Sequence, residues 1–352
     1  MIEVLRKLEK IYSRLQDEES KKLFDIRLKY SIDRSTKDFF AAVGELYNDW
    51  SPGELMDKLK EYPTRDIVVF GSGYVGMTTK ILLNCWGFSD VIFCDIQHIG
   101  ETIEGGEVLS VEKALENYPN ALFIIGSKKY QQEMRDNLLA HGVSPIQILT
   151  PKHKYLMASR GTQYFDLFAP EPDEVYVDAG VFDGESVLSF CKWTENRYRK
   201  IYGFEPTGGV YNDAVELIRR NDIERIELLN CATWNKKEKL YFEVNNANKA
   251  GSHVTNDIED TVMVLGVDID SVVGDEKVTF IKMDIEGSEL RALHGARRTI
   301  MACHPRLAIS IYHKPEDILE IGDYILQMYP EYKLFIRHYS SNCWETILYA
   351  VP

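Results

Sequence analysis

Apolar positions recur at three-to-four spacing where the chain begins: Ile2, Leu5, Leu8, Ile11, Tyr12 and Leu15, with charged residues between them. This period predicts an amphipathic helix. A second helix is expected through Phe39 to Leu46, and Ser51-Pro52 has the form of the cap and first turn of a third. Residues 1–60 are therefore expected to form a helical segment whose apolar face caps the domain that follows.

The pattern then changes to short, fully apolar runs separated by helical stretches. DIVVF (66–70), DVIFCD (90–95), ALFIIG (121–126) and PIQIL (145–149) read as buried strands. Residues 74–86, 111–118 and 128–142 between them carry helical periodicity. Such alternation predicts a small Rossmann-like α/β domain over 61–150, with a parallel sheet. Residues 151–172 are punctuated like a linker and domain entry, and a second alternation fills 173–352. Its strands are expected at 174–178, 200–204, 225–229, 278–284 and 306–311, and its helices at 184–193, 209–220, 288–296 and 315–329. Two apolar runs in direct succession, 332–339 and 345–352, predict a closing β-hairpin on a mostly parallel sheet.

Composition narrows the function classes. The chain has 352 residues, room for two domains, and a formal net charge of −14. That charge argues against a nucleic-acid partner, because phosphate backbones require a basic face. None of the six cysteines forms a CxxC pair or stands at zinc-finger spacing from a histidine. In a chain of this length, reduced thiols are the expectation. MIEVLRKLEK carries charges where a signal peptide needs an apolar core, and no apolar run approaches the roughly 18 residues of a membrane span. A cytoplasmic protein with no membrane partner is expected; oligomeric state is left open.

Two glycine-bearing strand-to-helix turns carry the candidate chemistry. In IVVFGSGYVG, Gly71, Gly73 and Gly76 match GxGxxG, and Asp95 ends the next strand 22 residues beyond Gly73. Such glycines let a backbone approach a pyrophosphate, and an acid at that distance can bind a ribose hydroxyl. Three readings stay open: a tight turn in a module without a ligand, a nucleotide or nucleotide-sugar site, and an NAD(P)-dependent sugar or polyol oxidoreductase. No hydride-transfer constellation follows the turn.

The second turn, EVYVDAGVFDGES, is acidic where a phosphate site would want bare backbone donors. Asp178, Gly180, Asp183 and Gly184 occupy it; Glu205 ends the next strand, Asn230 the third and Asp284 the fourth. Polar groups at the carboxyl ends of successive parallel strands converge on one crevice. Their acidity suits S-adenosylmethionine, which presents an ammonium, two ribose hydroxyls and a sulfonium.

VDAGVFDGES, YGFEP, IKMDIEGSELRALHGA and ISIYHKPEDI together resemble the FkbM family of S-adenosylmethionine-dependent methyltransferases, over roughly residues 165–352. The resemblance implies a class I methyltransferase fold, a seven-stranded Rossmann-like sheet with the terminal hairpin, and O-methylation of hydroxyls on small molecules or glycans. It implies that Asp178, Gly180, Asp183 and Gly184 line the methionine and ribose side and that Glu205 takes the ribose hydroxyls. It places Asn230 and Cys231 near adenine, and the Gly251–His253 stretch, with Ser252, against the cofactor. Asp183-Gly184 stands where the family often has an Asn-containing turn, so Asp178 is the firmer expected contact.

An alcohol acceptor must lose its proton as the methyl group arrives, and a base is expected near it. His313 and Asp284 are the catalytic candidates, with His313 preferred because a neutral imidazole accepts a proton near pH 7. Glu286 is a weaker substrate-side candidate, and Glu289 is read as a structural first-turn carboxylate. No metal is called for: Asp268, Asp270 and Asp284 offer oxygens, but at no fixed ligand spacing. The alternatives to a methyltransferase are the oxidoreductase above and a non-catalytic nucleotide-sensing protein.

Overall fold

The computed structural model describes residues 2–47, 53–62, 66–85, 87–88, 90–103, 106–127, 129–150, 162–243, 253–255, 261–340 and 343–352. Two compact units emerge, a larger one of residues 1–34, 160–339 and 344–352 and a smaller one of 35–159 with 340–343.

The chain opens with α1 (Ile2–Tyr12) and α2 (Glu18–Asp33), the latter capped by Asp17, which accepts from Ser20 N at 2.8 Å. These helices belong to the larger unit. The expectation that residues 1–60 cap the domain following them is therefore corrected: the segment divides near residue 35.

The smaller unit holds α3 (Thr36–Leu46), α4 (Gly53–Lys60), β1 (Ile67–Phe70), α5 (Tyr74–Cys85), β2 (Val91–Cys94), the short hairpin β3 (Thr102–Ile103) and β4 (Gly106–Glu107), α6 (Val111–Asn117), β5 (Leu122–Ile125), α7 (Gln131–Ala140) and β6 (Ile148–Leu149). Its parallel sheet has the order β2-β1-β5-β6. Every residue of β1 and β5 is buried, as expected of strands covered on both faces. At the glycine turn, a Cβ on Gly76 would lie 1.8 Å from Gly71 O, so that close approach excludes any side chain.

The larger unit continues with β7 (Glu174–Ala179), α8 (Glu185–Trp193), β8 (Tyr198–Phe204), α9 (Gly208–Arg220), β9 (Ile226–Leu229), β10 (Ala232–Thr233), β11 (Glu238–Glu243), β12 (His253–Thr255), β13 (Thr261–Val267), α10 (Ile269–Val273), β14 (Phe280–Met283), α11 (Glu289–Gly295), α12 (Arg297–Cys303), β15 (Arg306–Ser310), α13 (Asp317–Met328), β16 (Lys333–His338) and β17 (Thr346–Val351). Its main sheet has seven strands in the order β16-β17-β15-β14-β7-β8-β9. β17 runs antiparallel between β15 and β16, which is the expected hairpin. A second sheet, β10-β13-β11-β12, has no counterpart in the sequence reading.

The edge of the main sheet at β16 is covered by the first two helices. Gln16 N donates to Leu334 O and Leu334 N to Arg14 O, while Arg337 reaches Asp17 at 2.6 Å. Lys7 and Lys10 pair with Glu320 and Asp323 of α13. An edge strand covered in this way has no free ladder for another chain.

The stretch read as a domain entry is partly core. Tyr164 and Phe165 are buried, and Phe165 packs against Tyr176, Phe190, Trp193 and Phe280 at ring separations of 5.4–6.2 Å. Burying one such ring contributes about 1.5–3 kcal/mol. The segment from residue 162 onward is therefore part of the larger unit's fold.

Candidate active site

β7 ends in the acidic turn, and β14 lies beside it in register, Lys282 opposite Asp178. A lysine within a buried strand needs partners. Lys282 Nζ donates to Gly180 O at 2.5 Å and Ala179 O at 3.4 Å and pairs by charge with Asp178 Oδ1 at 3.0 Å. Asp178 also accepts from Ser186 Oγ at 2.6 Å and has no exposed surface. Asp178, expected on the methionine and ribose side, is buried in the turn and held there by Lys282 and Ser186.

Gly180 adopts φ +87°, and a Cβ there would lie 2.0 Å from Asp284 O. This contact brings the ends of β7 and β14 together and seats Asp284 beside the turn. Phe182, a non-glycine residue at φ +54°, turns its N–H to Glu205 Oε2 at 3.1 Å. Thr207 N donates to Glu205 Oε1 at 2.8 Å. With one backbone donor on each oxygen, Glu205 keeps acceptor capacity. Burial raises its pKa against those bonds. Asp183, half-buried, accepts from Glu185 N, the first N–H of α8, at 3.3 Å, and Gly184 before that helix offers no side-chain cap of its own.

Asn230 donates to Glu205 O at 2.8 Å and Pro206 O at 3.2 Å, fixing the loop that carries Glu205. Cys231 is buried, and burial pushes its thiol up to about 11, so it serves as an apolar surface. Phe182 N links the turn that carries Gly180, Asp183 and Gly184 to Glu205, and Asn230 links to the Glu205 loop in turn. Ser252 and Gly251 lie outside the described residues.

Asp284 follows β14 and His313 follows β15. Asp284 accepts from Tyr164 Oη at 2.8 Å and Tyr312 Oη at 2.9 Å. Burial works to raise its pKa, but the charges of His313 and Lys282 and the two hydroxyls hold it below the usual range. Around His313 stand Glu289 at 3.0 Å, Glu286 at 3.5 Å and Asp284 at 3.6 Å. Burial alone would lower the imidazole; these carboxylates outweigh it and hold it well above its ordinary value. The expectation of a neutral, proton-accepting His313 near pH 7 is therefore corrected.

Several site groups escaped the sequence reading. Tyr164 sat in the supposed domain entry. Lys282 was visible as a lone charge in an apolar strand, a signal that asks for a buried partner. Glu345 receives Gln163 Nε2 at 2.5 Å, and Gln163 also donates to Tyr164 Oη at 3.0 Å, linking Glu345 to Asp284. Burial and the charge of Asp284 push the Glu345 carboxyl up to about 7. Asp268 and Asp270 are structural: the first caps α10 by accepting from Ser271 N, and the second accepts from Arg298 N and Thr299 N, each at 2.8 Å.

In the smaller unit, Asp95 is also engaged locally. Its Oδ2 accepts from Ser72 N and Oγ at 2.7 and 2.8 Å, and its Oδ1 from Ile96 N and Gln97 N at 2.7 and 2.9 Å. These four bonds fill the carboxylate.

Comparison with known proteins gives a family match and a fold match. Residues 178–337 match the family model described as Methyltransferase FkbM domain. The crystal structure of methyltransferase FkbM from Methylobacillus flagellatus KT aligns over 95% of this chain and 99% of its own, at 19% identity and a TM-score of 0.52. An rRNA methylase from Streptococcus thermophilus aligns over 51% of this chain and 86% of its own, at 14% identity and a TM-score of 0.33. No curated protein matches at the sequence level. Among the described residues, no helix is long and apolar enough to cross a membrane.

Proposed function

The chain belongs, through residues 178–337, to the FkbM methyltransferase family, and on that premise we propose that it moves the methyl group of S-adenosylmethionine onto a hydroxyl oxygen of a small molecule or glycan. The observation that carries this reading is two sets of polar groups at the carboxyl ends of neighbouring parallel strands, Glu205 after β8 on one side of β7, and Asp284 after β14 with His313 after β15 on the other. Glu205 and the Asp183-Gly184 turn at the start of α8 make a cofactor side. Asp284 and His313 make an acceptor side, joined to the first where Gly180 packs on the Asp284 carbonyl.

Methyl transfer is an in-line displacement: the C–O bond forms as the C–S bond breaks, and the sulfur keeps the electron pair as a neutral thioether. The cofactor supplies the activated group, and the protein aligns the acceptor and excludes water. Asp284, fixed by Tyr164 and Tyr312, orients the acceptor hydroxyl. The cationic His313 supports negative charge growing on its oxygen. The proton passes to the carboxylates around them, among which Glu345, at about 7, is matched to proton uptake near neutrality. We assign the methyltransferase domain to the part of the larger unit that runs from residue 162 to the end of the chain, without 340–343. The smaller unit, 35–159 with 340–343, carries a glycine turn that serves its own fold. The free thiols at Cys94, Cys191 and Cys231 suit the reducing cytoplasm.

The test is calorimetry of the full chain with S-adenosylhomocysteine and, in parallel, NAD(H). It is joined to a panel of hydroxylated acceptors incubated with methyl-labelled cofactor and read by mass spectrometry. Saturable binding of the first ligand alone and labelled ether products are expected. Absence of S-adenosylhomocysteine binding overturns the reading, and methylation confined to nitrogen or carbon overturns the O-methyl assignment.

A further inference from the structure

The surroundings of His313 contain more negative charge than the cluster itself neutralises. Glu289 is fully buried at the start of α11, Asp284 and Glu286 flank the ring, and Asp317 is buried behind. The nearby lysines make their own contacts elsewhere, Lys282 to Asp178 and the Gly180 carbonyl and Lys314 to the Gly287 carbonyl, and only their charges reach Asp284 and Asp317. Buried carboxylates without compensation are expensive.

The donor directions point the same way. Ile285 N donates to Glu289 Oε1 at 2.8 Å, but Glu289 Oε2 is buried with no hydrogen-bond partner. The imidazole is 9% exposed, and neither ring nitrogen makes a hydrogen bond, although carboxylate oxygens stand 3.0–3.6 Å away. The contacts have ion-pair distances without hydrogen-bond alignment. Nitrogen and oxygen donors that lie close together but do not bond one another are what a shared central cation produces. One donor atom each from Asp284, Glu289 and His313 falls within 4.8 Å of the others. Asp284 is oriented from outside by Tyr164 and Tyr312, and Glu289 by Ile285 N, in the manner of groups that support metal ligands.

We propose that Asp284, Glu289 and His313, the imidazole giving up its proton as the ion binds, hold a divalent cation of the Mg²⁺/Mn²⁺ class, whose charge then takes the place of the imidazolium's beside the acceptor. Two carboxylates select a hard ion, and the imidazole favours Mn²⁺ over Mg²⁺. Three protein ligands leave coordination positions open, and an acceptor hydroxyl occupying one of them becomes easier to deprotonate. This use of the site rests on the methyltransferase reading; the cation site itself does not.

The experiment uses the full chain, stripped with a chelator and titrated with Mn²⁺ while free Mn²⁺ is followed by electron paramagnetic resonance. S-adenosylhomocysteine calorimetry on the same samples reports separately on the methyltransferase reading. One saturable Mn²⁺ site per chain is expected, displaced by excess Mg²⁺. Glu289→Gln should weaken it at least about tenfold, the low end of what disturbing a metal site costs. His313→Gln is the second variant should Glu289→Gln not fold, with the same loss expected. No saturable binding by wild-type protein that takes S-adenosylhomocysteine overturns the cation site alone. Undiminished Mn²⁺ affinity in a folded variant does the same.

Discussion

Both β–α turns of this chain pair glycines with an acid at the end of the following strand, yet the two acids are used differently. Asp95 receives four hydrogen bonds from its own turn and has no acceptor site left. Glu205 receives one backbone N–H on each oxygen, from Phe182 and Thr207, which leaves acceptor sites on the carboxylate. The same sequence device thus closes one turn on itself and in the other leaves the acid with acceptor capacity. Spacing from glycine to acid does not separate the two cases; the number of local donors does.

The most severe way to break the comparison is through the glycines. Gly180→Ala puts a Cβ 2.0 Å from Asp284 O at a backbone angle that disfavours side chains, and Gly76→Ala puts one 1.8 Å from Gly71 O. Each should cost on the order of 3–5 kcal/mol in its own unit. Gly180→Ala should abolish S-adenosylhomocysteine binding. Thermal unfolding and calorimetry check both, and full cofactor affinity in Gly180→Ala would refute the strand-end contact.

The acids come next. Glu205→Ala should weaken S-adenosylhomocysteine by about 1.5–3 kcal/mol, the worth of hydrogen bonds to a charged group. Asp95→Ala should leave that affinity unchanged. Equal losses in the two variants would mean that the turns do not differ as described.

Asp95→Asn removes acceptor capacity without removing bulk, and the smaller unit should lose about 1–3 kcal/mol. Burial works to raise the Asp95 pKa, but the bonds from Gln97, Ser72 and Ile96 outweigh it, so the folded value is depressed. A depressed carboxylate stabilises the fold above its unfolded pKa of about 3.9, and that stability is lost as pH falls through the folded value. Acid titration of the smaller unit's unfolding should show a component that Asp95→Asn eliminates.

The alternation of elements in both units was legible because buried parallel strands are uniformly apolar, as in β1, β5 and β7. The terminal hairpin was legible because two apolar runs follow one another without a helix. β11 was not: its burial alternates along the strand, and its sequence EKLYFE mixes charge with apolar residues in a polar neighbourhood. The placement of α1 and α2 was illegible for another reason. An amphipathic period says that a face is buried but not against what, and the partner here, β16 with α13, is more than 300 residues away in sequence. At the site, strand-end acids marked the crevice, but the sequence did not show that Asp178 points inward at Lys282. Nor did it show that three carboxylates surround His313, since this charge depends on contacts between separate loops.

The smallest expected effect discriminates most finely. Gly73 has no atom within 4 Å of where a Cβ would stand and requires no left-handed backbone angle, unlike Gly71 at φ +105° and Gly76 in its close contact. If the first turn serves only its fold, Gly73 is free to vary. Gly73→Ser adds a hydroxyl at the residue whose carbonyl accepts from Met77 N, the position where serine caps a helix well. The smaller unit's stability should then move by no more than about 0.5 kcal/mol, with S-adenosylhomocysteine affinity unaltered. A turn that cradles a pyrophosphate needs a bare backbone at this residue, because the phosphate must approach where the Cβ would stand. The variant is therefore assayed by thermal unfolding with and without added nucleotides. A nucleotide that stabilises wild-type protein but not Gly73→Ser would show that the first turn, like the second, is a ligand site, and the contrast between Asp95 and Glu205 would fail.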